Sequence, residues 1–343
     1  MSIRILVVED NLVVQHYVRS ALSVDSKNEI LAIVDNGIDA LKAAIRMKPD
    51  VILLDLFLPG MDGMDVIRHV MSEAPCPIVV LSAELDRKDQ DLTFEAQRSG
   101  AVSVLAKPQG MEPAQFQAFS DNLCKTVQLM AQVKVTRRWL PTAAVSPAVE
   151  PSLLASGDRW DLLAIGSSTG GPAALYSLLE ALGAAFNFPV LIAQHIAPGF
   201  GATLCEWLAK TGCPICIPEH GEKAQAGKVY LAPDDRHLVY GAGGVLFHVE
   251  NPAARFTPSV DMLFDSIATH HTGQVAAIIL TGMGNDGTAG MHHLYRQGAQ
   301  TIAEAESSCV VFGMPAAAIA AGVVRSVLPL SDIAELLRQK HIG

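Results

Sequence analysis

The sequence predicts an α/β fold in two domains, each a mainly parallel sheet covered by helices. Three observations predict it. Short runs of Val, Ile, Leu and Ala alternate with amphipathic stretches along most of the 343 residues. Aromatic residues are only 6% of the chain against 50% hydrophobic residues overall, so aliphatic side chains must fill the cores, as in strands buried on both faces. The alternation breaks once, at residues 140–158, where "LPTAAVSPAVEPSLLASGD" has three prolines and no period and reads as an extended linker.

In residues 1–124 the apolar runs place strands at Ile3–Val8, Ile30–Val34, Val51–Leu54, Ile78–Ser82 and Val102–Leu105. Helical periodicity places helices near Leu12–Ser23, Gly37–Met47, Gly63–Met71, Asp89–Ser99 and Pro113–Met130. Five strands alternating with five helices imply a parallel sheet with both faces covered. The last helix is expected to run on into the basic stretch Lys134–Arg138. The domain plan is therefore 1–124, a helix end and linker over 125–158, and a second domain over 159–343. That second domain alternates again, with an apolar run Asp161–Ile165, a helix Gly171–Leu182, and strands at Val190–Ala193, Ile215–Pro218 and Val275–Leu280.

Charge and composition exclude several function classes. The net charge is −10, with 11 Lys+Arg against 18 Asp+Glu in residues 1–124, four basic residues and no acid in 125–138, and 10 against 17 in the rest. Neither large block is basic, which argues against a nucleic-acid-binding output domain. No apolar run reaches the roughly 18 residues of a membrane span. The start, "MSIRILVVEDN", meets acids too early for a signal peptide. Six unevenly spaced cysteines without an export signal predict a cytoplasmic protein with free thiols.

Chemistry-bearing residues gather where the predicted strands of the first domain end. Glu9 and Asp10 end the first strand, Asp55 the third and Ser82 the fourth, and Lys107-Pro108 follows the fifth. Ligands of open parallel sheets bind at that edge. Three converging carboxylates repel unless a cation neutralises them, and all-oxygen ligands favour Mg²⁺. A carboxylate beside Mg²⁺ and a lysine can attack a phosphoryl group and form an aspartyl phosphate, with Ser82 in reach of its oxygens. Singly, each of these residues could merely decorate a strand end.

This set, with "DLFLPGMDG" over Asp55–Gly63, resembles the receiver domain of two-component response regulators across residues 1 to about 124. The resemblance implies a flavodoxin-like (βα)5 fold and phosphorylation of Asp55 by a histidine kinase. It implies Mg²⁺ held by Asp10, Asp55 and the Phe57 carbonyl with Glu9 assisting, and Ser82 and Lys107 as switch residues. Many receivers carry an aromatic switch residue three positions before the lysine; here that position is Val104.

In the second domain "AIGSSTGGP", Ala164–Pro172, raises two possibilities. Its backbone N–H groups could cradle a phosphate at a helix start. Alternatively, Gly166-Ser167-Ser168-Thr169-Gly170 fits G-x-S-x-G, which would lift Ser168 on a strand-to-helix turn as a nucleophile. A serine nucleophile needs a base and an orienting group. His195 closes a strongly apolar strand, and Asp286 lies in the glycine-rich loop of "VAAIILTGMGNDGTAGM". The plain alternatives are a capping or core histidine and an Asn-Asp-Gly turn. His220, His237, His248, His270, His271, His292 and His293 lack the same strand-end placement or sit in polar stretches, with His292 and His293 expected as solvated side chains. Cys213 and Cys216 have a metal spacing, but they lack a second cysteine pair to complete four ligands.

"AIGSSTGGP", "QHIAPGF", "VYLAPDDRHL", "TPSVDMLF", "ILTGMGNDGTAGM" and "TIAEAESSCVVFGMPAAAIAAG" resemble the successive signature blocks of the chemotaxis protein-glutamate methylesterases, the CheB family, over nearly all of residues 160–330. The resemblance implies a Ser168–His195–Asp286 triad and an oxyanion hole built in part by the Met283 N–H; the mechanism of such a triad offers Thr169 N–H as a second donor. It implies hydrolysis of glutamyl methyl esters on chemoreceptors. The serine mechanism needs no cofactor, glutamine deamidation is expected beside it because both substrates share one carbonyl geometry, and the attached receiver predicts activation by phosphorylation. Ser167 stands where many members have Ala. The rival readings are a receiver-controlled hydrolase of another ester or amide, and a non-catalytic binding module with a phosphate in the glycine loop.

Overall fold

The computed structural model describes residues 2–82, 87–107, 112–133, 135, 159–196 and 198–340. The chain forms two compact units, divided between Pro147 and Ala148. Pro108, the basic residues Lys134, Arg137 and Arg138, and the linker expected over 140–158 lie outside the described residues.

The first unit alternates β1 (Ile3–Val8), α1 (Leu12–Leu22), β2 (Asn28–Val34), α2 (Gly37–Met47), β3 (Val51–Asp55), α3 (Gly63–Glu73), β4 (Ile78–Ser82), α4 (Arg87–Ser99), β5 (Ser103–Ala106) and α5 (Pro113–Met130). The five strands form one parallel sheet in the order β2-β1-β3-β4-β5. β3 and β4 are buried at every position, as strands covered on both faces must be. Asn11, Asn36 and Asp62 cap α1, α2 and α3 by accepting backbone N–H groups of the first turn. One expectation is corrected: α5 does not continue into the basic stretch. It stops at Met130, where Gln132 and Val133 close the end with tighter bonds to Leu129 and Met130 carbonyls.

The second unit holds β6 (Leu162–Ser167), α6 (Gly171–Leu182), β7 (Val190–Gln194), α7 (Gly201–Ala209), β8 (Ile215–Cys216), β9 (Val229–Leu231), β10 (His237–Tyr240), β11 (Leu246–Val249), α8 (Val260–His270), β12 (Val275–Ile279), α9 (Thr288–Arg296), β13 (Gln300–Glu304), α10 (Met314–Ala320), β14 (Ser326–Leu328) and α11 (Leu330–Gln339). Seven strands pair in parallel in the order β14-β13-β12-β6-β7-β9-β8, and β10 with β11 makes a separate antiparallel hairpin. The central strands β12, β6 and β7 are buried throughout. β8 is only two residues long, shorter than the run Ile215–Pro218 expected; Pro218, which cannot donate to a ladder, lies outside it. Cys213 is buried and turned to the carbonyls of Leu179 and Gly183, which uses it as a core residue. No helix among the described residues is long and apolar enough to cross a membrane.

Candidate active site

The turn Ser168–Gly170 joins β6 to α6 at the carboxyl end of the sheet. Register makes Ser167 the partner of Gln194, so Ser168 and His195 follow on neighbouring strands, which lie about 4.8 Å apart. β12 flanks β6 on its other side, with Ile279 opposite Gly166. Three loops therefore leave three adjacent strands side by side, carrying Ser168, His195 and Asp286.

Each loop is tied down by named bonds. Ser167 is fully buried, and its hydroxyl donates to Gln194 Oε1 at 2.6 Å. Gln194 Nε2 donates to the carbonyls of Ser168 (2.9 Å) and His195 (2.8 Å), and His195 N–H donates to Ser167 O (3.0 Å). Ser168 N–H donates to Thr281 O at 3.0 Å, tying the turn to the β12 loop. Gly170 has φ +82°, and a Cβ there would lie 2.6 Å from Val310 Cβ, so only glycine fits this corner.

Asp286 is the most heavily bonded group of the site. Its Oδ2 accepts from His195 Nε2 (2.7 Å) and Val260 N–H (2.7 Å); its Oδ1 accepts from Ser259 Oγ (3.0 Å) and Asp261 N–H (3.1 Å). The carboxylate thus sits on the N-terminus of α8, where free N–H groups and the helix dipole favour an anion. Burial alone would push its carboxyl up, but the bonds from His195, Val260 and Asp261 outweigh burial and hold it below the ordinary aspartate value. Its neighbour Asp261 has the opposite balance. Burial first, and then the Asp286 charge beside it, push that carboxyl up to about 6 despite the Gly290 N–H it accepts.

With Nε2 engaged by Asp286, the free nitrogen of His195 is Nδ1, which is buried and has no partner among the described residues. Phe256 stacks on the imidazole with centroids 4.6 Å apart and planes 10° from parallel. Arg255 lies over the same phenyl ring at 5.3 Å. The backbone N–H groups of Met283 and Thr169 donate to no acceptor among the described residues. The arrangement offers a hydroxyl on a tight turn, an oriented imidazole beside it, and free N–H donors close by.

Sequence reasoning left several contributors unnamed. Gln194 gives a signal, as an amide ending an apolar strand. Ser259 and His237 give none. His237 lacks strand-end placement in the sequence, yet it is buried and its Nδ1 accepts Ser259 N–H at 3.1 Å, steadying the residue that donates to Asp286. Only the hairpin β10–β11 brings it there. His292 and His293 are exposed on α9, as expected.

In the first unit, the ends of β1, β3 and β5 converge. Glu9, Asp10 and Asp55 bring one carboxylate oxygen each within 4.8 Å of one another, a donor set that fits a divalent cation. Lys107 Nζ lies 2.7 Å from Asp55 Oδ2 and 2.8 Å from Glu9 Oε2. Burial would push the lysine down, but the two carboxylates outweigh it and hold the ammonium above its ordinary value. Burial pushes Glu9 up, and Lys107 only partly offsets this. Phe57 N–H donates to Asp55 Oδ1 at 3.2 Å, and Ser82 is buried at the end of β4. Val104 is half-buried against the apolar core.

Comparison with known proteins agrees with both halves. Residues 163–337 match the family model of the CheB methylesterase, and residues 5–115 match that of the response regulator receiver domain. The chain is 39% identical to a protein-glutamate methylesterase/protein-glutamine glutaminase of Myxococcus xanthus, over 99% of this chain and 98% of that protein. It is 37% identical to one of Hahella chejuensis, over 98% and 97%. The crystal structure of the Thermotoga maritima CheB methylesterase catalytic domain superposes with a TM-score of 0.50 at 37% identity, covering 53% of this chain and 99% of that one.

Proposed function

The chain belongs to the CheB methylesterase family, with a response regulator receiver domain ahead of the esterase domain, and from that premise we propose that it hydrolyses glutamyl methyl esters on chemoreceptors through Ser168, His195 and Asp286. The observation that carries this reading is the 2.7 Å bond from His195 Nε2 to Asp286, on a strand directly beside the Ser168 turn. The receiver extends over 1–124, a helix end and linker over 125–158, and the esterase over 159–343.

In this mechanism His195 Nδ1 takes the proton of Ser168 Oγ as the oxygen attacks the ester carbonyl. Asp286 fixes the tautomer and stabilises the imidazolium. The oxyanion is received by the N–H groups of Met283 and Thr169. His195 then protonates the departing methanol. Water, deprotonated by the same imidazole, releases the glutamate and restores Ser168. A glutamine side chain presents the same carbonyl with ammonia as the leaving group, so deamidation follows the same course. This half uses no cofactor.

The receiver supplies control. An Asp55 oxygen accepts the phosphoryl group of a kinase phosphohistidine, and Lys107 and Ser82 meet the new phosphoryl oxygens. Glu9, Asp10, Asp55 and the Phe57 carbonyl would hold Mg²⁺, which neutralises charge as the phosphoryl group moves. Phosphorylation raises esterase activity. The cytoplasmic side, where receptor helices and kinase meet, is the place of action.

The test is methanol release from methylated receptor membranes by wild type, Ser168→Ala and Asp55→Ala, with a phosphodonor present. Loss in the first variant and loss of stimulation in the second are expected. Equal release by all three proteins overturns both the triad and the switch.

A further inference from the structure

Glu304 is a buried acid with no ion pair among the described residues. It ends β13, is fully enclosed, and meets only uncharged partners. Its Oε2 accepts Thr281 N–H at 2.8 Å, and its Oε1 lies 2.9 Å from Ser308 Oγ. Thr281 in turn grips the nucleophile turn twice. Its carbonyl accepts Ser168 N–H at 3.0 Å, and its hydroxyl donates to Thr169 O at 2.9 Å while accepting Val311 N–H at 2.9 Å. One residue further on, Gly282 presses against the serine: a Cβ there would lie 2.7 Å from Ser168 Cβ. Glu304 therefore holds, from behind, the residue that holds Ser168 and starts the loop of Met283.

We propose that Glu304 is a positioning residue of the esterase site and acts as the neutral acid, with Oε2 accepting from Thr281 and the Oε1 proton donated to Ser308 Oγ. The hydrogen bonds close only in that form without leaving a buried charge. Ser308 Oγ accepts from Glu304 and from Leu330 N–H (3.0 Å), and its own proton goes to Ala305 O (3.3 Å). In the ionised form the proton on Ser308 must turn back to Glu304, and an enclosed anion is left with neutral donors alone, the Thr281 N–H, the Ser308 hydroxyl and the Cys309 thiol. It would also lie behind the loop whose N–H groups receive the oxyanion. The titratable group facing Glu304 is the Cys309 thiol; Glu306 acts on that thiol, and no charged group of β12, β14, α10 or α11 bears on the carboxyl. Burial, the largest influence, pushes Glu304 up from the ordinary glutamate value, and burial pushes Cys309 up as well, so the thiol brings no anion beside it. Activity is thus expected to fall on the alkaline side as Glu304 gives up its proton.

The inference rests on the esterase reading, and the experiment separates the two. Methanol release by full-length wild type, Ser168→Ala, Glu304→Gln and Glu304→Ala is measured from about pH 6 to about pH 10. Glutamine reproduces the neutral acid: its oxygen accepts from Thr281 and its NH₂ donates to Ser308. Glu304→Gln is expected to keep kcat within about twofold at neutral pH and to hold its activity to higher pH than wild type. Glu304→Ala is expected to lose about 10- to 100-fold in kcat with KM little changed, because Ser168 is displaced rather than substrate binding lost. Infrared spectra should show a protonated buried carboxyl in wild type that is missing from Glu304→Gln, a readout independent of folding losses in the alanine variant. A wild type no faster than Ser168→Ala means that the esterase reading itself has failed. With that control sound, a Glu304→Gln profile that superposes on wild type, or a spectrum without the carboxyl band, overturns the role given to Glu304.

Discussion

Asp286→Ala removes four acceptor contacts at once. His195 Nε2 loses its partner at 2.7 Å, so the imidazole loses the bond that orients it. Losing the orienting carboxylate of such a triad costs about 10⁴-fold in kcat. The other contacts are structural. The Ser259 hydroxyl can rotate to a new acceptor, but Val260 N–H and Asp261 N–H, at the start of α8, cannot. A donor left unpaired in the interior costs about 1–3 kcal/mol, so two cost about 2–6 kcal/mol, or about 4–24 °C in melting temperature for a unit of this size. Asp286→Asn should fall halfway. Whichever way its amide turns, the NH₂ faces one of those two N–H groups and the oxygen satisfies the other. Ser168→Ala should abolish activity and leave the melting temperature unchanged, because Ser168 Oγ bonds to no other described residue. Thermal unfolding and methanol release of the three variants side by side decide the matter. An Asp286→Ala protein that melts like wild type, or keeps more than about a tenth of its activity, would refute the double role assigned to this carboxylate.

Asp261 predicts a change of opposite sign. The folded protein holds its proton more tightly than the unfolded chain, so the group costs stability as the pH rises from about 3.8 through about 6. After allowance for its partial exposure, Asp261→Asn should gain about 1–2 kcal/mol at pH 7 and nothing below about pH 4, measured by urea unfolding at both values. Gly282→Ala should cost about 10²-fold in kcat, since the added Cβ meets Ser168 Cβ at 2.7 Å and Met314 Sδ at 2.5 Å; a fully active variant would show that the turn has slack. Chelation of divalent cations should block incorporation of labelled phosphate at Asp55 and leave basal methanol release intact. Lys107→Ala should slow dephosphorylation and stimulation alike, because it removes the cation 2.7 Å from Asp55.

The first unit was almost wholly legible from the sequence, because one pattern repeats. A strand buried on both faces is a continuous apolar run, so a polar residue at its end is conspicuous, as Glu9, Asp55, Ser82 and Lys107 are. The same logic makes His195, at the end of β7, and Asp286, past β12, conspicuous. It failed where no period exists. β8, the β10–β11 hairpin and the end of α5 are short, and tight turns rather than amphipathic faces bound them. His237 and Ser259 stayed hidden because nothing near them in the chain marks the sheet edge to which they return.

The sequence by itself determined the alternation of strands and helices and the residue types waiting at the strand ends, since these follow from local periodicity. Strand order is not local. Only the tertiary structure put β7, β6 and β12 side by side, and so brought His195, Ser168 and Asp286, separated by up to 118 positions in the chain, onto one edge. Which nitrogen of His195 meets Asp286, and which helix end holds that aspartate, were also decided there. Hydrogen-bond direction depends on where a neighbouring loop ends in space, and no spacing along the chain records that.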